Sequence, residues 1–169
     1  MNLYTLGYQG IDVSTYVRTL QNAGVGVVVD VRETPWSYKR SFCKGALSLE
    51  LSRAGIDYVH LRSAGNPKEN RRTASSSAEC LKRYRKHLRG NPEALAELWQ
   101  VISLAASQEK PACLTCFEEE PHECHRSILA AALRKISGDI TTINLKGLAE
   151  KKVGALWVPE ADNHEAVLV

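Results

Sequence analysis

The stretch Cys116-Phe117-Glu118-Glu119-Glu120-Pro121-His122-Glu123-Cys124-His125-Arg126 concentrates most of the chemistry this chain can offer. It holds two thiols, four carboxylates, two imidazoles and a guanidinium, and it links an apolar run, Ala112 to Thr115, to an apolar-periodic segment, Ser127 to Ile136. The first reads as a strand and the second as a helix. In an open α/β sheet such a connection lies at the carboxyl edge of the strands, where ligands bind. Glu118 leaves its strand at that edge and can act as a base or hold a ribose-like diol. Cys124 opens the helix, where the dipole and free N–H groups favour anions, so its thiol should ionise more readily than usual. The alternative for Cys124 is an inert buried thiol. Arg126, in the first helical turn, calls for a partnering anion or carboxylate and is expected to anchor one.

A second constellation leaves the run Val25 to Val31: Asp30-Val31-Arg32-Glu33-Thr34-Pro35-Trp36-Ser37, with Tyr38, Lys39 and Arg40 beyond. Asp30 can bind a hydroxyl, a metal or a proton, and Arg32 presents a planar fork to a carboxylate or phosphate. Ser37 adds a donor, so the segment reads as an anion-binding loop. The competing reading is an internal Asp30–Arg32 ion pair, since charges at buried strand ends are rarely left alone. His60 closes the next strand and can titrate near neutrality or serve as a structural histidine. Lys68 forms the basic tip of the turn Gly65-Asn66-Pro67-Lys68, and Tyr8 follows the first strand.

Cys113, Cys116, Cys124 and His125, with His122 nearby, are enough nitrogen and sulfur for a tetrahedral zinc ion. Cys113 and Cys116, however, are three apart on or beside a strand and so face opposite ways. We therefore expect neither a metal nor another cofactor. Neither Cys116 nor Cys124 has an arginine at the Cys-x5-Arg spacing of a phosphatase loop, and neither GxGxxG nor a Walker lysine loop is present.

The elements that must position these groups follow from periodicity and breakers. Leu3 to Leu6, Val25 to Val31, Ile56 to Leu61, Pro111 to Thr115 and Ile140 to Leu145 read as strands. The second is almost uninterrupted valine, as a parallel strand buried on both faces requires. Asp12 to Ala23, Gly45 to Ala54, Ala78 to Leu88, Pro92 to Ser107 and Ser127 to Ile136 read as helices, and Arg62 to Ser77 as a loop. Alternation of strand and helix implies an α/β fold: one domain over residues 1–150, with a mainly parallel sheet of about five strands and helices on both faces. Residues 151–169 read as a C-terminal tail without a trusted periodicity.

The chain has 169 residues, with 44% hydrophobic and 24% charged, ordinary values for a globular protein with a substantial core. No apolar run suffices to cross a bilayer and the first residues lack a signal-peptide pattern, so a cytoplasmic protein with no membrane partner is expected. The five cysteines are then expected to be reduced thiols rather than a disulfide framework. A net charge of +3 does not by itself prove nucleic-acid binding. The clusters Lys68 to Arg72 and Lys82 to Arg89 are either solvated faces or phosphate-binding surfaces.

Four of these stretches together resemble one known family. Thr5-Leu6-Gly7-Tyr8-Gln9-Gly10, Val29 through Ser37, Ala54 through Leu61, and Cys116-Phe117-Glu118 through Cys124-His125-Arg126 are similar to the motifs of the bacterial and archaeal domain of unknown function 488 family, over roughly Leu3 to Lys135. Phe42 also follows its pattern. Tyr38 stands where members often carry arginine after the serine of the Pro-x-Ser motif, and Cys113 lies outside the pattern. The resemblance implies a compact α/β domain with these motifs grouped in space. It implies no reaction.

Three functions are compatible with these residues. One is an enzyme acting on a phosphate-bearing small molecule, nucleotide or nucleic acid, with Arg32, Lys68 and Arg126 holding the anion and Glu118, Asp30 or Cys124 doing the chemistry. The second is a non-catalytic nucleotide or nucleic-acid binding module. The third is a redox sensor that pairs Cys116 with Cys124. A deep pocket uniting Asp30, Arg32, Glu118 and Arg126 would favour the enzyme, a flat basic face the binder, and two thiols in bonding range the sensor.

Overall fold

Valine dominates the middle of the molecule because the second strand is covered on both sides. In the computed structural model, which describes residues 1–147, Val27 and Val29 pack into one hydrophobic core and Val28 into another. The strand itself, β2 (Val27–Asp30), is buried at every position. It belongs to a five-stranded, wholly parallel sheet with β1 (Asn2–Gly7), β3 (Asp57–His60), β4 (Ala112–Cys116) and β5 (Thr141–Asn144), in the order β3-β2-β4-β1-β5.

Two helices cover one face. α1 (Val13–Asn22) is capped by Asp12, whose carboxylate accepts from the Thr15 N–H at 2.8 Å, satisfying an otherwise orphaned donor. α2 (Lys44–Arg53) ends at Gly55, whose φ of +73° suits glycine alone among ordinary residues. Tyr16, Leu20, Leu47 and Leu51 from these helices join Leu6, Val28 and Cys113 in the core of that face. The opposite face carries α4 (Ser77–Arg89), α5 (Pro92–Ser107) and α6 (His125–Ile136), whose Tyr84, Leu98, Ile102, Leu129 and Leu133 pack against Leu3, Val29 and Leu114. A short helix, α3 (Lys68–Thr73), lies where a loop is expected. Its side chains are not buried, so it leaves no apolar stripe to read.

Helices on both faces and an α/β architecture accord with the sequence-based expectation, the sheet being parallel throughout. The C-terminal tail expected over residues 151–169 lies outside the described residues. Among the described residues no helix is long and apolar enough to cross a membrane.

β2 and β4 are hydrogen-bonded neighbours, Asp30 standing opposite Thr115. The chain leaves β2 toward α2 on one face and leaves β4 toward α6 on the other. Such a divergence opens a crevice at the carboxyl ends of the two strands. The Asp30–Ser37 segment and the Cys116–Arg126 segment are the two walls of that crevice.

Candidate functional site

The alternation of β4 decides which of its cysteines reaches the crevice. Ala112 and Leu114 face the core under α4 to α6, while Cys113 joins the core under α1 and α2. Cys116 shares the parity of Leu114 and meets α6 instead. Opposite orientation of Cys113 and Cys116 is thus observed, and burial raises the Cys113 thiol pKa. Cys124 takes the N-cap position of α6 in extended backbone, and His125 is the first helical residue, two positions before the expected start. The three groups converge: Cys116 Sγ and Cys124 Sγ lie 3.7 and 3.8 Å from His125 Nδ1. The other ring nitrogen, Nε2, is 2.7 Å from the Val31 carbonyl oxygen and must donate to it. Glu118 closes the group, its Oε2 accepting from the Cys116 thiol at 3.2 Å.

The backbone that carries Glu118 is held from inside. Arg126 is fully buried, donating from Nη1 to the Glu118 carbonyl, from Nη2 to the Glu119 carbonyl at 2.7 Å and from Nε to Thr5 Oγ1 at 3.3 Å. On the other side Gln9 N–H donates to the Phe117 carbonyl at 2.8 Å. Gly7 is required here by space: a Cβ would stand 1.8 Å from the Glu118 carbonyl oxygen.

A cavity of about 510 Å³ opens over these groups, lined by Cys116, Glu118 and His125 at one end and by Tyr8, Arg32 and Ser37 at another. That volume suits a small-molecule ligand. Its rim is aromatic and basic. Trp36, Tyr38 and Phe117 stand 58, 93 and 44% exposed, with the Trp36 and Tyr38 rings 4.6 Å apart edge to face. Lys39 and Arg71 also line it. A second cavity, sharing Asn66, Arg71, Glu118 and His125, extends it toward the start of α4. A larger groove between α4, α5 and α6 is lined without any thiol, imidazole or carboxylate, so it offers no comparable chemistry.

Protonation follows from these contacts. For Glu118, burial favours the neutral acid, yet contacts with the Cys124 and Cys116 thiols, its own N–H and His125 prevail and lower its pKa, so it is a carboxylate at neutral pH. Burial opposes charge on His125 too, but the Cys124 thiol, the Val31 carbonyl and Glu118 together raise its pKa. Cys124 goes the other way from expectation. Burial, reinforced by the neighbouring Cys116, pushes its thiol well above the ordinary range, and the helix start does not compensate.

The structure brings together Glu118, Arg32, Ser37 and Tyr8 around one cavity, with Cys124 beneath it against His125. Asp30 is fully buried and does not line it. Its carboxylate takes Arg32 Nε at 2.8 Å, Arg32 Nη2 at 2.5 Å and the Tyr58 hydroxyl at 2.7 Å. The internal ion pair is therefore the arrangement present. Arg32 spends its remaining fork on the Tyr8 hydroxyl at 2.8 Å and the Phe42 carbonyl at 2.9 Å. His60 is turned to the Arg32 carbonyl, 2.8 Å from Nε2. Lys68 is exposed at the start of α3, away from the cavity lining. Arg126 lies behind the site, its guanidinium facing main-chain carbonyls where an external anion was expected.

Cys116 and His125 entered the sequence reading only as zinc ligands or, for Cys116, as the redox partner of Cys124, and not as lining residues of a ligand site; Trp36, Phe117 and Asn66 were given no role there. The parity of β4 could have selected Cys116. Aromatic residues stranded in polar loops were the available signal for Trp36 and Phe117.

The model of one family, the domain of unknown function DUF488, matches residues 12–133, and the chain belongs to that family. No curated protein and no solved structure matches it.

Proposed function

We propose that this DUF488 chain is an enzyme acting on a phosphate-bearing small molecule of the nucleotide class, bound in the crevice at the carboxyl ends of β2 and β4. One observation carries the reading: Glu118, Cys116 and His125 line a cavity whose mouth holds exposed aromatic rings beside Lys39 and Arg71. Flat apolar surfaces at Trp36, Tyr38 and Phe117 match a nucleobase, which stacks on aromatic side chains regardless of its hydrogen-bonding edge. Lys39 and Arg71 supply the positive rim for phosphate. Arg71 bridges Glu33 at 3.0 Å, and an incoming phosphate would compete with that half-buried carboxylate. Glu118 is the acid–base group in this reading. It is ionised, it faces the cavity, and Glu33, the other carboxylate lining it, is tied to Arg71.

A second reading has one specific observation in its favour. The Cys116 and Cys124 sulfurs lie within 4.8 Å of each other, near enough for a modest shift to form a disulfide. A sensor of that kind would need no ligand in the cavity above.

A thermal-shift screen with nucleoside mono-, di- and triphosphates tests the first reading, because a ligand bound only by the folded chain raises its melting temperature. At least one nucleotide is expected to stabilise the protein and to be converted to a product separable by chromatography. Glu118→Gln should keep the shift and lose turnover, since an amide cannot take up the proton. A shift without turnover would favour a non-catalytic binding module. No shift with any member would remove the nucleotide reading.

A further inference from the structure

We infer that Cys116, Cys124 and His125 bind a zinc ion at the floor of the cavity, with the remaining coordination position turned toward Glu118 and the ligand space. Cys113 and Cys116 face opposite ways and cannot share an ion. The fold leaves Cys113 in the other core and brings Cys116, Cys124 and His125 together without it, which removes that objection. Sγ of Cys116, Sγ of Cys124 and Nδ1 of His125 all lie within 4.8 Å of one another. The two sulfur-to-nitrogen distances are 3.7 and 3.8 Å. With Zn–S near 2.3 Å and Zn–N near 2.0–2.1 Å, the edges of a tetrahedral site come to roughly 3.5–3.8 Å. The two sulfur-to-nitrogen separations already stand close to those edges, and the sulfur-to-sulfur separation, within 4.8 Å, closes to its edge by a small rotation of either thiol.

The surroundings are those of a ligand set rather than of three thiol and imidazole groups that happen to touch. The His125 Nε2–H is fixed on the Val31 carbonyl, which leaves the Nδ1 lone pair aimed at both sulfurs. Metal-bound histidines are oriented in this way by an outer acceptor. Hydrogen bonding alone accounts for one thiol on Nδ1 and the other on Glu118. It gives no reason for both sulfurs to aim at the same ring nitrogen, which has a single lone pair. All three residues are buried and sit on regular structure, Cys116 at the end of β4 and the others at the start of α6. Arg126 pins the intervening segment. Two thiolates and an imidazole select a borderline or soft ion over magnesium or calcium.

Two cysteines and a histidine with a fourth position open to a cavity make a site that can do chemistry rather than one closed for structure. The reaction class that follows rests on the enzyme reading above; metal binding does not. Water on the zinc would pass its proton to the Glu118 carboxylate while its oxygen bonds to the electrophilic carbon or phosphorus of the ligand. The group released there would leave with that proton, so the reaction is a hydrolysis needing no other reactant.

The test uses the full chain, reduced, stripped with a chelator and titrated with cobalt(II), then zinc(II), with no nucleotide present. Cobalt should give tetrahedral visible bands and thiolate charge-transfer absorption that saturate at an equimolar ratio, and zinc should displace it. Cys116→Ser and Cys124→Ser should each weaken the charge-transfer band and lower affinity by roughly tenfold or more. X-ray absorption of the zinc-loaded wild type keeps the proposal testable if either variant fails to fold, and should report two sulfur ligands. Absence of cobalt uptake by the reduced chain, or a bound ion without sulfur neighbours, overturns the site. Metal uptake without any nucleotide response would instead retain the site and discard the enzyme reading, and a nucleotide response without metal uptake would do the reverse.

Discussion

Arg126 donates to the main-chain carbonyl of Glu118, so the residue whose carboxylate faces the cavity is held from behind by a guanidinium buried in the core. Support of this kind fixes where the carboxylate stands without touching its oxygens, and it makes the fold and the site depend on the same side chain.

Arg126→Ala should therefore destabilise the protein by about 3 kcal/mol or more, since buried carbonyls lose their donors and a large side chain leaves a void. Arg126→Lys should recover only part of this, because one ammonium cannot reproduce a fork that serves the Glu118 and Glu119 carbonyls and Thr5 together. Denaturant unfolding of the two variants checks the order. A wild-type midpoint for Arg126→Ala would show that the guanidinium is dispensable to the fold.

Asp30→Ala should cost about 3–5 kcal/mol, because it strands the buried Arg32 charge. Replacing Tyr58 by Phe should cost only about 1 kcal/mol, a single hydrogen bond to the same carboxylate. If Asp30 instead acted on substrate, its loss would reduce activity in a chain of normal stability. Paired melting and activity measurements separate the two.

Trp36→Ala touches an exposed side chain and should leave stability within about 0.5 kcal/mol of wild type. Its effect should appear in nucleotide affinity, as a loss of about 1–3 kcal/mol if a base stacks there. Calorimetric titration with whichever nucleotide gives the largest thermal shift is the direct measurement. Unchanged affinity would move the base elsewhere in the cavity.

Glu79 gives a pH prediction away from the site. Ser75 donates to it from its hydroxyl at 2.6 Å and its N–H at 2.7 Å, and Arg83 bridges its other oxygen, lowering its pKa from 4.5 to about 2. A carboxylate whose folded pKa is depressed stabilises the fold above its unfolded value and loses that contribution as pH falls through the folded one. The window is therefore about pH 4.5 down to about 2. The difference in melting temperature between wild type and Glu79→Gln should shrink across it, and the Glu79 carboxyl resonance should titrate at its lower end. A midpoint near 4.5 would contradict the Ser75 and Arg83 contacts.

What the sequence could and could not reveal divides along physical lines. β2 was legible because burial on both faces demands an unbroken valine run, and the two walls of the crevice because apolar runs turn polar at Asp30–Arg32 and at Cys116–Glu118. The pairing of β2 with β4 brings those two turning points side by side. The role of Arg126 was illegible for a specific reason. An arginine in a first helical turn needs negative partial charge nearby, and two carbonyl oxygens supply it as well as an external anion does. Asp30 presented two readings, and only three-dimensional contacts show the ion pair with Arg32. Cys116, Cys124 and His125 were visible as candidate ligands, but their convergence without Cys113 was not, since spacing along a chain does not fix separation across a loop.

The strand order β3-β2-β4-β1-β5 has a consequence for the birth of the molecule. β1 is the first strand to leave the ribosome, yet both its neighbours, β4 and β5, lie in the last third of the described chain. β2 can pair with β3 soon after synthesis, whereas β1 must wait for Ala112 and beyond before either of its edges finds a partner. An apolar segment left open for so long invites wrong pairing and is a natural client for a chaperone. The crevice shares this timetable: β4 joins the β2–β3 pair to β1, and α6 then brings Arg126 and His125 into place before β5 closes the edge of the sheet. A nascent chain stalled before β4 therefore has the Asp30–Ser37 wall of the crevice and lacks the facing one.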